Sequence, residues 1–212
     1  GEYLLLLNND TELLEPDSYR GGRAFYDFTP RIIYKNSQVH PDSDRMDYYE
    51  GKLNHLWVDL FILDKLPEGK LASEMTRFIH KAIYGLAMGH RHDLDYSRYS
   101  LLHKIFVGGL ATAGKLIPLK WIISMQKWAA LKDRKSKGSR WYYSNYQPDY
   151  LYVTVEGSCC EQVVDGEFED TLLMLPKGWH EILTEVYGDY MELPPPEKRL
   201  PTHSSQEIEI FE

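Results

Sequence analysis

Trp57–Pro67, WVDLFILDKLP, is the stretch on which the fold reading turns. With Leu56 in front it contains the run LWVDLFIL over residues 56–63. That run is rich in β-branched and aromatic residues, which predicts a buried strand. It carries one acid in its middle, Asp59, and a second at its end, Asp64. Pro67-Glu68-Gly69 then breaks the strand. From Lys70 to Ala87 apolar residues recur at three- and four-residue steps (Leu71, Met75, Phe78, Ile79, Ala82, Ile83, Leu86), the spacing of an amphipathic helix. Strand, turn and helix in that order predict an α+β chain.

Upstream, RIIY at residues 31–34 predicts another strand, preceded by a loop over residues 15–30 around Gly21-Gly22. Residues 36–44 turn polar again. EYLLLLNND, residues 2–10, fits either a buried strand or a short helix running into a turn, and periodicity leaves both open. Downstream, a second helical zone spans residues 100–131, interrupted by Gly108-Gly109, Gly114 and Pro118. Residues 132–139 read as a basic linker in solvent. Strands are predicted at residues 150–155 and 167–175, and a short helix at residues 179–187 stopped by Gly188. Pro194-Pro195-Pro196 predicts an extended tail.

The 212 residues, 43% of them hydrophobic, suffice for one domain with a core and exclude general disorder. No apolar run reaches the roughly 18 residues of a membrane span, and Lys104, Lys115, Lys120 and Lys127 interrupt the most apolar region. The opening residues lack the features of a signal peptide. Because the chain opens on Gly1, the expectation is that the natural N-terminus lies upstream. The two cysteines, Cys159 and Cys160, are adjacent and poorly placed to pair, which predicts free thiols in a reducing, cytoplasmic setting. Net charge is −8, yet residues 102–140 hold nine Lys/Arg against one acid, Asp133. That basic stretch, with Trp121 and Trp128 between its lysines, points to peripheral contact with an anionic membrane face or to a core helix with a solvated basic side. The acidity of the whole opposes nucleic acid as a partner.

Asp59 is the leading chemical candidate. An acid flanked by Val58, Leu60 and Phe61 must be paired, hydrogen-bonded or metal-bound if it is buried, and otherwise lies on the open face of its strand. Asp64, just before the turn, reads as a cap for the following helix. His90, His92, Asp93 and Asp95 (GHRHDLD) crowd four potential ligands together, with no matching cluster elsewhere, and read as a solvated helix end.

Three elements carry a family resemblance. FEDTLLMLPKGWHEILTEVYGDYMELPPPEKRLPTH, residues 168–203, resembles the C-terminal end of the LicD family, phosphocholine transferases related to the fukutin group. WVDLFILDKLP is similar to that family's strand with two acids, and TPRIIYKN, residues 29–36, occupies the place of its preceding basic strand. The resemblance implies a single domain over residues 1–212, N-terminally incomplete. Its sheet portion would span residues 1–67, a helical basic insertion residues 68–140, and the closing strands and helix residues 141–212. The implied fold is a partial nucleotidyltransferase-like mixed sheet packed by helices. The implied activity is transfer of phosphocholine or a similar substituted phosphate from a CDP-linked donor such as CDP-choline to a sugar of a cell-surface glycan (lipopolysaccharide, teichoic acid or capsule), at the inner face of the membrane. Mg²⁺ or Mn²⁺ would bridge the donor phosphates.

On this resemblance Asp59 is the catalytic and metal-holding carboxylate, and Arg31 and Lys35 meet donor phosphates. Tyrosine or tryptophan rings would receive a quaternary ammonium. Asp64, Asp189, Arg199 and His203 bind substrate or support the site, while Tyr187, Tyr190, Met191 and Leu193 pack the closing helix on the core. The family's acidic Asp cluster does not occur in these residues, so the isolated chain is expected to be inactive. Two other readings stand beside this one. Residues 1–18 resemble the strand and acid of family-2 glycosyltransferases, which would place a nucleotide sugar and metal at Asp10. A non-catalytic binding module is the third.

Overall fold

A computed structural model describes residues 9–16, 25–40, 49–91, 94, 100–193, 195, 199 and 207–211. In chain order the described strands begin with β1 (Thr11–Leu14), β2 (Arg31–Tyr34), β3 (Ser37–His40), β4 (Leu56–Asp59) and β5 (Leu63–Lys65). Helices α1 (Lys70–Ala87), α2 (Leu101–Gly114) and α3 (Leu119–Leu131) follow. The chain continues with β6 (Arg140–Tyr143), β7 (Thr154–Glu156), β8 (Val163–Phe168), β9 (Thr171–Pro176), helix α4 (Trp179–Tyr187) and β10 (Glu207–Ile210). This is an α+β composition. Every described strand pair is antiparallel, where a mixed sheet was expected.

The chain divides into two compact units, one of residues 1–61, 81–126 and 201–212 and one of residues 62–80 and 127–200. The division runs through α1 and α3. In the first unit β2 is the centre of the sheet β1-β2-β4, and β3 pairs with β10. Leu14, Ile33, Val39 and Leu53 form its core, with Tyr26, Leu56 and Trp57 packed against them. The alternation of β2 places Ile33 inside this core. Phe25, Phe28 and Tyr84 make a ring cluster with centroids 4.8–5.9 Å apart.

In the second unit β5, β6 and β7 form a sheet over Leu66, Tyr142 and Leu151. The hydroxyl of fully buried Tyr142 lies 2.8 Å from Nε2 of His80. Thr76 donates to Asp133 at 2.9 Å and accepts from Lys132 at 2.7 Å. Residues 132–133, expected in solvent, are therefore half-buried against α1.

The helices α1 and α4 match their predicted bounds, and Gly188 ends α4 with φ +71°. The helical zone of residues 100–131 breaks at Gly114 and Pro118 but passes unbroken through Gly108-Gly109. Other expectations fail for physical reasons. LWVDLFIL is two strands, because the Leu60 amide donates to the Pro30 carbonyl while the Ile62 amide donates to Asn145 Oδ1. Each half thus joins a different sheet. Residues 37–40, expected as a polar loop, pair as β3. Residues 150–152 end a 3-10 turn, Pro148–Tyr152, and the strand begins only at Thr154. The strand predicted at residues 167–175 is the end of a hairpin turning at Glu169-Asp170. Residues 2–8, the Gly21-Gly22 loop, Pro194 and Pro196 lie outside the described residues.

Candidate functional site

Asp59 ends β4 directly opposite Arg31, the first residue of β2. The Arg31 side chain is only 4% exposed and is held from two sides. Asp27 accepts two hydrogen bonds from its guanidinium, 2.9 Å from Nη1 and 2.6 Å from Nη2. The same carboxylate accepts from the Thr29 amide at 2.9 Å, and Arg31 Nη1 also donates to the Thr29 carbonyl at 3.0 Å. On its other side Arg31 Nε approaches Asp59 Oδ1 to 2.9 Å, an ion pair without the alignment of a hydrogen bond. The guanidinium carbon lies 5.2 Å from the ring centre of Tyr26 and 5.9 Å from that of Trp57. These rings already face a cation, as cation–π geometry favours.

One buried guanidinium thus serves two carboxylates, leaving the cluster with a net charge of −1. Burial pushes the Asp59 carboxyl above its ordinary pKa against the opposing pull of Arg31, and the neighbouring charge of Asp27 adds to the rise. Asp59 Oδ1 is buried although the side chain as a whole is 34% exposed, and the Trp57 side chain also hydrogen-bonds the carboxylate. Asp59 is therefore both anchored and accessible.

Lys35 is exposed in the turn after β2, about 13 Å along the strand from Arg31 at roughly 3.3 Å per residue. Its backbone amide donates to the Asp10 carbonyl at 2.7 Å, and Asp10 Oδ1 accepts from Asn36 Nδ2 at 3.1 Å. Lys35 and Asp10 occupy the end of the sheet away from Asp59, so the fold does not bring the two expected phosphate-binding cations together. Asp64 belongs to the second unit and caps no helix. Its carboxylate accepts from Ser144 Oγ at 2.5 Å, and burial raises its pKa against that hydrogen bond. Asp189 and Arg199 are exposed, and His203 lies outside the described residues.

Tyr187, Met191 and Leu193 are exposed, contrary to the expected packing of the closing helix. Only Tyr190 engages α4, its hydroxyl 2.7 Å from His180 Nδ1. His90 Nε2 donates to the carbonyls of Gly114 at 3.0 Å and Ile117 at 2.9 Å, while His92, Asp93 and Asp95 lie outside the described residues. Cys159 and Cys160 are free and half-buried in a 3-10 turn, with the Cys160 thiol pushed up by burial and by its neighbour. A surface hollow lined by Cys159, Gln162, Lys177 and Glu181 includes none of the expected site residues.

Asp27 is the member of the cluster that sequence reasoning missed. Its available signal was the order Asp27-Phe28-Thr29-Pro30, in which an Asp side chain bonds an amide two residues on. For a divalent metal the arrangement does not fit. Both Asp27 oxygens and one of Asp59 are turned to Arg31, and no group of three or more His, Cys, Asp or Glu among the described residues could hold an ion.

Comparison with known proteins relates part of this chain to a transferase. Sixty-one residues, 29% of the chain, are 49% identical to the lipopolysaccharide cholinephosphotransferase LicD of Haemophilus influenzae. The matched stretch spans 22% of that protein's length. No family model matches the chain. No solved structure matches it.

Proposed function

We propose that this chain is part of a LicD-like phosphotransferase with a nucleotidyltransferase-like fold. The enzyme would move phosphocholine or a similar substituted phosphate from a CDP-linked donor to a sugar of a cell-surface glycan. The observation that carries this reading is the 49% identity over 61 residues to a cholinephosphotransferase. The motifs at Trp57–Pro67 and residues 168–203 agree with it. In this reading Asp59 contributes its half-exposed carboxylate to the reacting centre, and Arg31 positions Asp59 instead of binding donor phosphate. A buried cation already shared by two carboxylates has little charge left for a third anion. Because the described carboxylates do not fit a divalent ion, the isolated chain lacks the charge-neutralising centre that phosphoryl transfer needs and is inactive.

The test is CMP release from CDP-choline with a glycan acceptor and Mg²⁺, run on this chain and on the product of the complete coding sequence that contains it. Release by the complete product and not by the isolated chain is expected. Metal-dependent turnover by the isolated chain would overturn its assigned inactivity. Turnover of a nucleotide sugar by the complete product would favour a glycosyltransferase, and turnover of neither would favour a binding module.

A further inference from the structure

Helix α2, LLHKIFVGGLATAG, is apolar over most of its circumference, yet only Ala111 and Gly114 of its fourteen residues are buried. A helix of that composition requires a cover or a nonaqueous neighbour. Leu101, Leu102 and Ile105 stand open on it. At its end the chain bends by 117° into α3. Leu116, 86% exposed, lies in the link between the two helices, and Trp121, 61% exposed, follows in the first turn of α3.

The bend is held firmly. His90 Nε2 donates to the Gly114 and Ile117 carbonyls, and Gly114 lies so close to the Leu86 carbonyl that a Cβ there would fall 1.9 Å from its oxygen. Ile122, Ile123 and Gln126 on the other side of α3 are buried, so α3 is anchored along that side. No single described helix is long and apolar enough to cross a membrane.

Charge selects the neighbour. Residues 100–131 contain four lysines and no Asp or Glu, in a chain whose net charge is −8. Lys115 and Lys120 are exposed beside the apolar residues of the bend, and Lys104 is exposed in the first turn of α2 among Leu101, Leu102 and Ile105. Leucine and tryptophan fringed by lysine, on a helix pair anchored along one side, match the chemistry of an anionic bilayer interface.

We propose that the α2–α3 bend docks on an anionic membrane surface. Leu116 and Trp121 enter the headgroup boundary, and Lys104, Lys115 and Lys120 meet lipid phosphates. The contact is peripheral. It does not depend on the phosphotransferase reading, and the experiment below measures no turnover.

The chain is floated with vesicles of phosphatidylcholine alone and of phosphatidylcholine mixed with phosphatidylglycerol, at low and high salt. Binding to the anionic vesicles, weakened by salt and much lower on neutral ones, is expected. Replacing Lys104, Lys115 and Lys120 together by Gln lowers the partition coefficient by roughly 100-fold, given the contribution of each lysine near an anionic surface. Leu116→Ser weakens binding without changing the melting temperature, since its side chain is open to solvent. Brominated lipid quenches tryptophan emission in the wild type and less so in Trp121→Phe, which reads insertion even if another variant misfolds. No binding to anionic vesicles, equal binding to neutral ones, or binding untouched by the lysine and leucine variants would each overturn the proposal. So would a dimer in sedimentation that Leu116→Ser dissolves, because a second copy would then be the cover.

Discussion

Arg31 and Asp59 face each other across the β2–β4 register, and their side chains close to 2.9 Å between Nε and Oδ1. Asp27 holds the same guanidinium through two hydrogen bonds, so a single cation is shared by two acids inside the first unit. Arg31→Met removes the cation that both acids share and is expected to cost about 3–5 kcal/mol in urea unfolding. Asp27→Asn, which weakens a charge-assisted fork, costs about 2 kcal/mol. Asp59→Asn, at the more exposed partner, costs under about 1 kcal/mol. Equal losses for the two Asp variants would mean that Asp59, too, is mainly a structural ion-pair partner.

Acid stability should depend on His80. Its imidazole is pushed down from 6.5 to about 4, by burial first and then by the charge of Lys132, while a bond to the Ala129 backbone and the charge of Asp133 oppose the shift. The neutral ring is the folded form, so between these values the unfolded chain binds the extra proton. Stability from this group is complete above 6.5 and declines as pH falls toward about 4, by roughly 3 kcal/mol in all. The imidazole resonances should stay constant down to about pH 4 in an NMR titration, and His80→Gln should flatten the acid limb of the stability curve. A midpoint near 6.5 in the folded protein would contradict this assignment.

Much of the fold could be read from periodicity, and what could not was set by contacts between distant residues. The three- and four-residue spacing in α1 and the stop at Gly188 are local, and the structure keeps both. The division of LWVDLFIL carries no Gly or Pro, because it is imposed by Pro30 on one half and Asn145 on the other. The hairpin turn Glu169-Asp170 lacks the Asn-Gly or Asp-Gly pair that marks such turns, with Glu169 itself at φ +52°. For the site, Asp59 was legible as an acid that burial makes costly. The separation of Lys35 from Arg31 was already implicit in the strand predicted at RIIY, because an extended chain holds its two ends apart. Asp27 was hidden because its bond to Arg31 depends on the conformation of the loop before β2.

Two glycines in α2 that look alike in sequence should respond oppositely to alanine. At Gly109 a Cβ would meet nothing within 4 Å, so Gly109→Ala removes the backbone freedom of a helical glycine and should stabilise the protein by about 1 kcal/mol. At Gly114 the new Cβ would fall 1.9 Å from the Leu86 carbonyl oxygen, and neither main chain can yield without moving a helix. Gly114→Ala should therefore cost about 3 kcal/mol or more. Urea midpoints of the two variants measure both effects. The contrast also probes the bend itself, because relief of the clash must draw α2 away from α1 and lengthen the His90 bonds to Gly114 and Ile117. A Gly114→Ala protein as stable as the wild type would show that the close approach of α1 and α2 is not what fixes the corner.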